Sequence, residues 1–195
     1  FAPWFASVPG LKVVQPFSAN DAKALLKSSI RDPNPVIFLE NEILYNDKSA
    51  SSIISDQLIP IGKAKVLIEG SDVTLVSYGI GIKHSLIAVK LAKDIDISVE
   101  LIDLRTIRPI DYETVFASIR KTNRCITVEE CFPICSIGNH LSASIMENIF
   151  DYLDSPVFNC SGKDVPMPYA KNLEEAALLN PKEILDTIKK VTYRD

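Results

Sequence analysis

The chain has 195 residues, 47% of them hydrophobic and 24% charged, with a formal net charge of −4. That balance fits one globular domain, or one domain and part of another, and excludes a disordered chain, which would hold far less Ile, Leu and Val. Lys and Arg are scattered, with no basic stripe of the kind that grips nucleic acid. No apolar run reaches the roughly 18 residues of a membrane helix, and the start lacks a basic-then-apolar signal. The reading is therefore a soluble, non-secreted protein with neither nucleic acid nor membrane as partner.

The chain opens on Phe1 with the apolar, aromatic stretch FAPWFASVP. Such a stretch needs a partner, so the sequence is expected to begin inside a domain, as a fragment or processed product. Leu11 to Gln15 predicts a short strand. Ser18, with Asp21 three residues on, has capping-box spacing and predicts a helix whose apolar face is Ala22, Leu25, Leu26 and Ile30. Pro33 ends it. Val36 to Leu39 predicts a strand buried on both faces, completing a strand–helix–strand unit. Residues 46–57 are polar and serine-rich without a period and predict a linker, with a domain boundary near residue 58.

Strands are then predicted over Lys65–Ile68 and Val73–Ser77, with Glu69 to Asp72 as the turn, followed by a helix over Lys83–Lys93. Val99–Leu104 predicts a strand, and Asp111 a cap for a helix burying Val115, Phe116 and Ile119. Cys125–Val128 predicts a strand, and the next helix, from about Gly138, carries Leu141, Ile145, Met146 and Ile149 on one face. Val157–Cys160 predicts the last strand, and Leu173–Leu179 a short helix. In the final helix Asn180 caps, Pro181 takes the first position, Glu183 closes a capping box, and Ile184, Leu185, Ile188 and Val191 form the buried stripe. Alternating strands and helices predict a parallel sheet with helices on both faces.

Few residues announce chemistry. Gly79 and Gly81 follow a strand and open a helix, and Asp103 ends the next strand, as in a dinucleotide-binding turn. His84 is too bulky for the third small position, so the alternative is a tight strand-to-helix turn. His84 and His140 lack an evident partner for general-base work. No Ser stands in a nucleophile elbow. Cys125, Cys131, Cys135 and Cys160 show no two-residue gap; Cys131, Cys135 and His140 are close in sequence, so either a metal cluster or free thiols in a reducing compartment can be read there. Glu129 and Glu130 end a strand where α/β sites form. They are read as a partner-contact or site edge, or else a solvated loop, with Arg105 and Arg108 as ion-pair partners. The loop Ser29 to Asn34 leaves a helix C-terminus, whose free carbonyls hold water or a hard cation.

Seven segments taken together carry a resemblance: FAPWFASVPGLKVV, IRDPNPVIFLENEILY, LIPIGKAKV, GSDVTLVSYG, VELIDLRTIRPID, KTNRCITVEE and GKDVPMPYAK. Over essentially the whole chain they resemble the beta-subunit family of the pyruvate dehydrogenase (acetyl-transferring) component. The branched-chain 2-oxoacid dehydrogenase beta subunit is the alternative, from which Arg108–Asp111 and Asp164–Tyr169 point away. The resemblance implies an α/β fold: a transketolase C-terminal-domain-like parallel sheet with a mixed edge and helices on both faces, over residues 58–195. Before it, residues 1–57 would be the tail of a pyrimidine-binding α/β domain.

The implied activity is thiamine diphosphate-dependent oxidative decarboxylation of pyruvate with acyl transfer to a lipoyl carrier, the step from glycolysis to acetyl-CoA. The implied partners are an alpha subunit and a second beta subunit in a heterotetramer, and the dihydrolipoyl acetyltransferase core. The family's cofactor-activating glutamate and active-site histidine fall before the position of Phe1, so no catalytic or cofactor-binding residue carries over, and the chain alone is expected to be inactive and to serve subunit assembly. The family's structural potassium carries over to the carbonyls of Ser29, Ile30, Asp32 and Asn34, with one further ligand upstream. The sequence departs from the family at Cys131–Ser136 and at Asn139–His140. The implied compartment is a bacterial cytoplasm or, alternatively, a mitochondrial matrix. Two rival functions remain at this stage, a non-catalytic assembly module and a dinucleotide-binding domain. Residues 1–52 are expected to be less stable than the rest, because their sheet is incomplete.

Overall fold

A computed structural model of the chain describes residues 1–47 and 57–194; most of the expected linker, residues 48–56, lies outside the described residues. The order is α1 (Ala2–Ala6), β1 (Lys12–Val14), α2 (Ala19–Arg31), β2 (Val36–Phe38), a 3-10 turn (Glu42–Asn46), β3 (Lys65–Ile68), β4 (Val73–Ser77) and α3 (Ile80–Lys93). There follow β5 (Val99–Asp103), β6 (Thr106–Arg108), α4 (Tyr112–Thr122), β7 (Cys125–Val128), α5 (Ile137–Ile149), a 3-10 turn (Phe150–Tyr152), β8 (Phe158–Cys160), α6 (Lys171–Ala177) and α7 (Pro181–Val191).

Short polar side chains start four of the helices by accepting a backbone N–H that has no partner within the helix. Ser18 accepts from Asp21 N, Asp111 from Thr114 N, Ser136 from Asn139 N and Asn180 from Glu183 N. Ser136 thus starts α5 just before the expected Gly138. Glu183 does not reach back to its cap; its carboxylate accepts from Lys163 Nζ at 2.7 Å. Helix α3 begins at Ile80, three residues before the expected Lys83, so Gly81 lies inside the helix's first turn.

The larger sheet has the order β3-β5-β4-β7-β8. Strands β5, β4, β7 and β8 run parallel and β3 is an antiparallel edge on β5, the mixed-edge sheet that was expected. Side-chain alternation sends Val73, Leu75, Leu101, Ile126 and Val128 to one face, where α3 and α7 cover them. Val76, Ile102 and Cys125 go to the other face, under α4 and α5.

The smaller sheet has the order β2-β1-β6. Strands β1 and β2 are parallel and flank α2, as the strand–helix–strand reading required. Strand β6, which was not anticipated, pairs antiparallel with β1. Arg105, at a positive φ of 56°, makes the turn that carries the chain from β5 in the larger sheet to β6 in the smaller. Three expectations about burial need correction. Strand β2 is half-buried throughout, because it is an edge with a neighbour on one side only. Helix α2 buries Asp21, Ala24 and Leu25 and leaves Leu26 and Ile30 exposed, because its covered side turns toward Arg105 rather than along the apolar stripe. Met146 of α5 is likewise exposed.

Candidate functional site

Parallel α/β sheets collect polar groups at the C-terminal ends of their strands, where following helices aim N–H groups. Here that end is organised by Glu129, the residue after β7, which is 1% exposed. Its Oε1 accepts from Gly138 N and Asn159 Nδ2, each at 2.9 Å. Its Oε2 accepts from the Tyr78 hydroxyl and the Cys131 thiol, again each at 2.9 Å. One carboxylate thus ties the ends of β4, β7 and β8 to the first turn of α5, where the helix dipole favours negative charge. Asn159 is held in turn by Thr127 Oγ1 on its carbonyl oxygen, and it donates to Ser136 Oγ. Gly138 is required at this spot: a Cβ there would stand 2.5 Å from both Glu129 Oε1 and Asn159 Oδ1.

The hub suppresses reactivity rather than creating it. Burial, and then the charge of Glu129, push the Tyr78 phenol well above its ordinary range. The same two causes push the Cys131 thiol far up, so it is no nucleophile at neutral pH. Glu130, the next residue, turns outward and accepts from Asn41 Nδ2 at 2.8 Å. Burial raises its carboxyl while the Asn41 bond opposes the rise.

The expected ion pairs between Glu129–Glu130 and Arg105–Arg108 do not form. Arg105 turns instead to Asp21 of α2, at 2.8 Å, and its backbone N–H donates to Asp103 Oδ1. Arg108 donates to the Ala6 carbonyl. Asp103 is fully buried, and burial pushes its carboxyl up to about 7. Its Oδ2 has no hydrogen-bond partner. Asp103 is therefore a core carboxyl, not a ribose ligand.

The remaining sequence candidates are also accounted for. Gly79 caps α3 at a φ of +52°, and a Cβ on it would meet the Gln15 side chain at 2.7 Å. Gly81 packs against Ser77 and the Val128 carbonyl. The turn is closed by the protein's own atoms and offers no pyrophosphate cradle, so the dinucleotide reading falls. His84 is half-buried, and burial, helped by Lys83, lowers its pKa. His140 has a partner the sequence did not reveal, the Tyr112 hydroxyl at 2.6 Å. Among the described residues no group of three His, Cys, Asp or Glu side chains could hold a metal ion, so Cys131, Cys135 and His140 make no cluster.

Ser29 and Ile30 lie in the last turn of α2, Asp32 caps it and Asn34 leads into β2. The Ser29 carbonyl accepts from Asp32 N, and the Asp32 carboxylate from Lys12 Nζ at 2.5 Å and from Asn34 N and Nδ2. Those bonds, Lys12 first, hold the Asp32 carboxyl at about 2. The Asp32 carboxylate is thus occupied by the protein's own donors.

Sequence reasoning missed Tyr78, Asn159 and the Asp21–Arg105 pair. Asn159 left one signal, an amide side chain in the middle of a strand where such residues are depleted. Tyr78 and Asp21 left none, since their partners lie 51 residues away in Glu129 and across the fold in Arg105.

Comparison with known proteins places this architecture. Residues 62–184 match the family described as transketolase, C-terminal domain. The chain belongs to this family. Residues 1–48 match the pyrimidine-binding domain of transketolase. The pyruvate dehydrogenase E1 component subunit beta of Rhizobium meliloti is 52% identical over 194 residues, covering 100% of this chain and 42% of that protein. The mitochondrial subunit of Dictyostelium discoideum is 50% identical, covering 100% and 56%, and that of Rickettsia bellii 48% identical, covering 99% and 59%. The chain spans about half the length of the curated relatives it matches. A solved split-gene transketolase, described as an inactive beta4 tetramer, superposes with a TM-score of 0.81 at 24% identity, over 98% of this chain and 60% of that one. At that identity the likeness is one of fold.

Proposed function

We propose that this transketolase-family chain is the C-terminal part of a pyruvate dehydrogenase E1 beta subunit. The observation that carries the reading is about 50% identity, over the whole chain, to E1 beta subunits from bacteria and mitochondria. The relatives named all bear the pyruvate name, which favours pyruvate over a branched-chain 2-oxoacid. In this reading the assembled enzyme decarboxylates pyruvate oxidatively with thiamine diphosphate and passes the acyl group to a lipoyl carrier. The part played by residues 58–195 is assembly, and residues 1–57 finish the pyrimidine-binding domain.

The geometry supports that division of labour. The residues at the C-terminal end of the sheet are locked in a buried network around Glu129. The glycine turn that might have held a diphosphate is filled by Gln15. No cofactor contact and no catalytic step is assigned to the described residues. The partners in this reading are the alpha subunit, a second beta subunit and the dihydrolipoyl acetyltransferase core. The compartment is a bacterial cytoplasm or a mitochondrial matrix; among the described residues no helix is long and apolar enough to cross a membrane.

The reading extends to a potassium ion on the carbonyls of Ser29, Ile30, Asp32 and Asn34. Oxygen donors suit such a cation, and the Asp32 carboxylate offsets the positive charge that Lys12 brings to the loop. A melting temperature higher in potassium chloride than in equal lithium chloride supports the site; equal values remove it.

Co-expression of the whole gene product with the alpha subunit from the same genome tests the function. The reading predicts a complex of the two that oxidises pyruvate only when thiamine diphosphate is present. A whole gene product that fails to bind the alpha subunit, or a complex that prefers branched-chain 2-oxoacids, overturns it.

A further inference from the structure

Between α1, β6 and the start of α5 lies a half-open cavity of about 530 Å³. That is within the range of small-molecule sites. Much of its wall is apolar, formed by Pro3, Ala6, Ile107, Ile110 and Ile137. Its polar lining is Ser7, Arg108, Tyr112, Cys135, Ser136 and His140, of which Arg108 alone is a permanent charge. Tyr112 and His140 are joined by a 2.6 Å hydrogen bond, with their rings edge-on at 6.2 Å.

The charge in this cavity is one-sided. No acidic residue lines it. Arg108 is half-buried and spends one N–H of its guanidinium, through Nη1, on the Ala6 carbonyl. Among the described residues it has no carboxylate partner. The neighbouring acid, Asp111, is already occupied by the N–H groups of Ala64 and Thr114 and by the Thr114 hydroxyl. Elsewhere the fold supplies buried or half-buried cations with carboxylates, as in Arg105–Asp21 and Lys12–Asp32. A guanidinium left half out of water beside an apolar wall is costly unless an anion joins it, and its planar fork suits a carboxylate.

We propose that this cavity is a binding site for a small organic carboxylate with an apolar body. The carboxylate sits on the free edge of the Arg108 guanidinium, with the Tyr112–His140 pair as a second polar contact. The apolar body lies against Ala6, Ile107 and Ile137. The proposal does not rest on the pyruvate dehydrogenase reading, because it uses only the lining residues and their charges.

The test is calorimetric titration of the whole gene product with benzoate, and with benzamide as a neutral match of the same shape. Benzoate is expected to bind at millimolar concentration or tighter, and benzamide at least about tenfold more weakly, since the charge-assisted contact is lost. Arg108→Gln is expected to abolish benzoate binding. Tyr112→Phe and His140→Gln, on partly exposed side chains, should fold normally and weaken it by about threefold to tenfold. These two keep the test decisive if Arg108→Gln fails to fold. No benzoate binding, equal binding of benzamide, or binding indifferent to Tyr112→Phe and His140→Gln overturns the site.

Discussion

The two sheets of this protein are held together in different ways. In the five-stranded sheet β4, β5 and β7 are buried along their whole length, sandwiched between α3 with α7 and α4 with α5. In the unit β1–α2–β2 only β1 is well covered, β2 is half-buried, and α2 shows Leu26 and Ile30 to solvent. The first region forms most of the apolar core, which reaches the second through Val13, with Ile37 and Leu39 packed against it. Beyond that contact the second is held by attachments: the β1–β6 ladder, the Asp21–Arg105 pair, and Asn41 on Glu130. A parallel strand–helix–strand unit can thus be regular in backbone yet depend on a neighbouring sheet for its stability.

The largest expected effect lies where the stable region concentrates its polar bonds. Glu129→Ala leaves the Tyr78 hydroxyl and Gly138 N without their acceptor inside the protein and takes one of two acceptors from Asn159 Nδ2. It should lower the unfolding free energy by about 3–5 kcal/mol, read by urea denaturation, with the whole chain unfolding together. Asp21→Ala breaks a buried ion pair and strands Arg105, at a cost of about 2–4 kcal/mol. Its loss should fall on the β1–α2–β2 unit, seen as faster amide exchange there and unchanged exchange in β4 and β7. Equal loosening of both regions would erase the distinction.

Asp103 sharpens the comparison through pH. Its carboxyl is raised to about 7 in the fold and lies near 4 when unfolded. Between those values the native state holds a proton that the unfolded state has lost. Stability from this group therefore declines as pH rises from about 4 to about 7. Asp103→Asn should flatten that part of the profile relative to the parent chain. An unchanged slope would show that Asp103 ionises normally. Smaller effects belong to single surface features. Asn180→Ala removes the cap of α7 and should cost about 1 kcal/mol. Ile30→Gln, on the exposed face of α2, should change stability by less than about 0.5 kcal/mol.

What the sequence disclosed follows the range of the interaction. Caps act within three residues, so Ser18, Asp111 and Asn180 were readable. The strands β4, β5 and β7 announced themselves as short apolar, β-branched runs. Strand β6 did not, because three residues between two turns carry no period and exist as a strand only through β1. The stripe Leu25, Leu26, Ile30 on α2 misled, because periodicity says which face is apolar but not whether anything lies against it. Glu129 shows the limit at the site. The sequence reading treated Glu129 and Glu130 alike, as a contact or site edge or else a solvated loop, but Glu129 is buried and only Glu130 faces outward. Nothing local tells a carboxylate that it will meet an amide, a phenol and a helix N-terminus from three other elements. The assignment to the family rested on whole segments, which integrate many such contacts.

Amide hydrogen exchange measured along the chain tests the division between the two regions most directly. The account predicts protection factors in β1, α2 and β2 well below those of β4, β5 and β7. Uniform protection across residues 12–38 and 73–128 would contradict it.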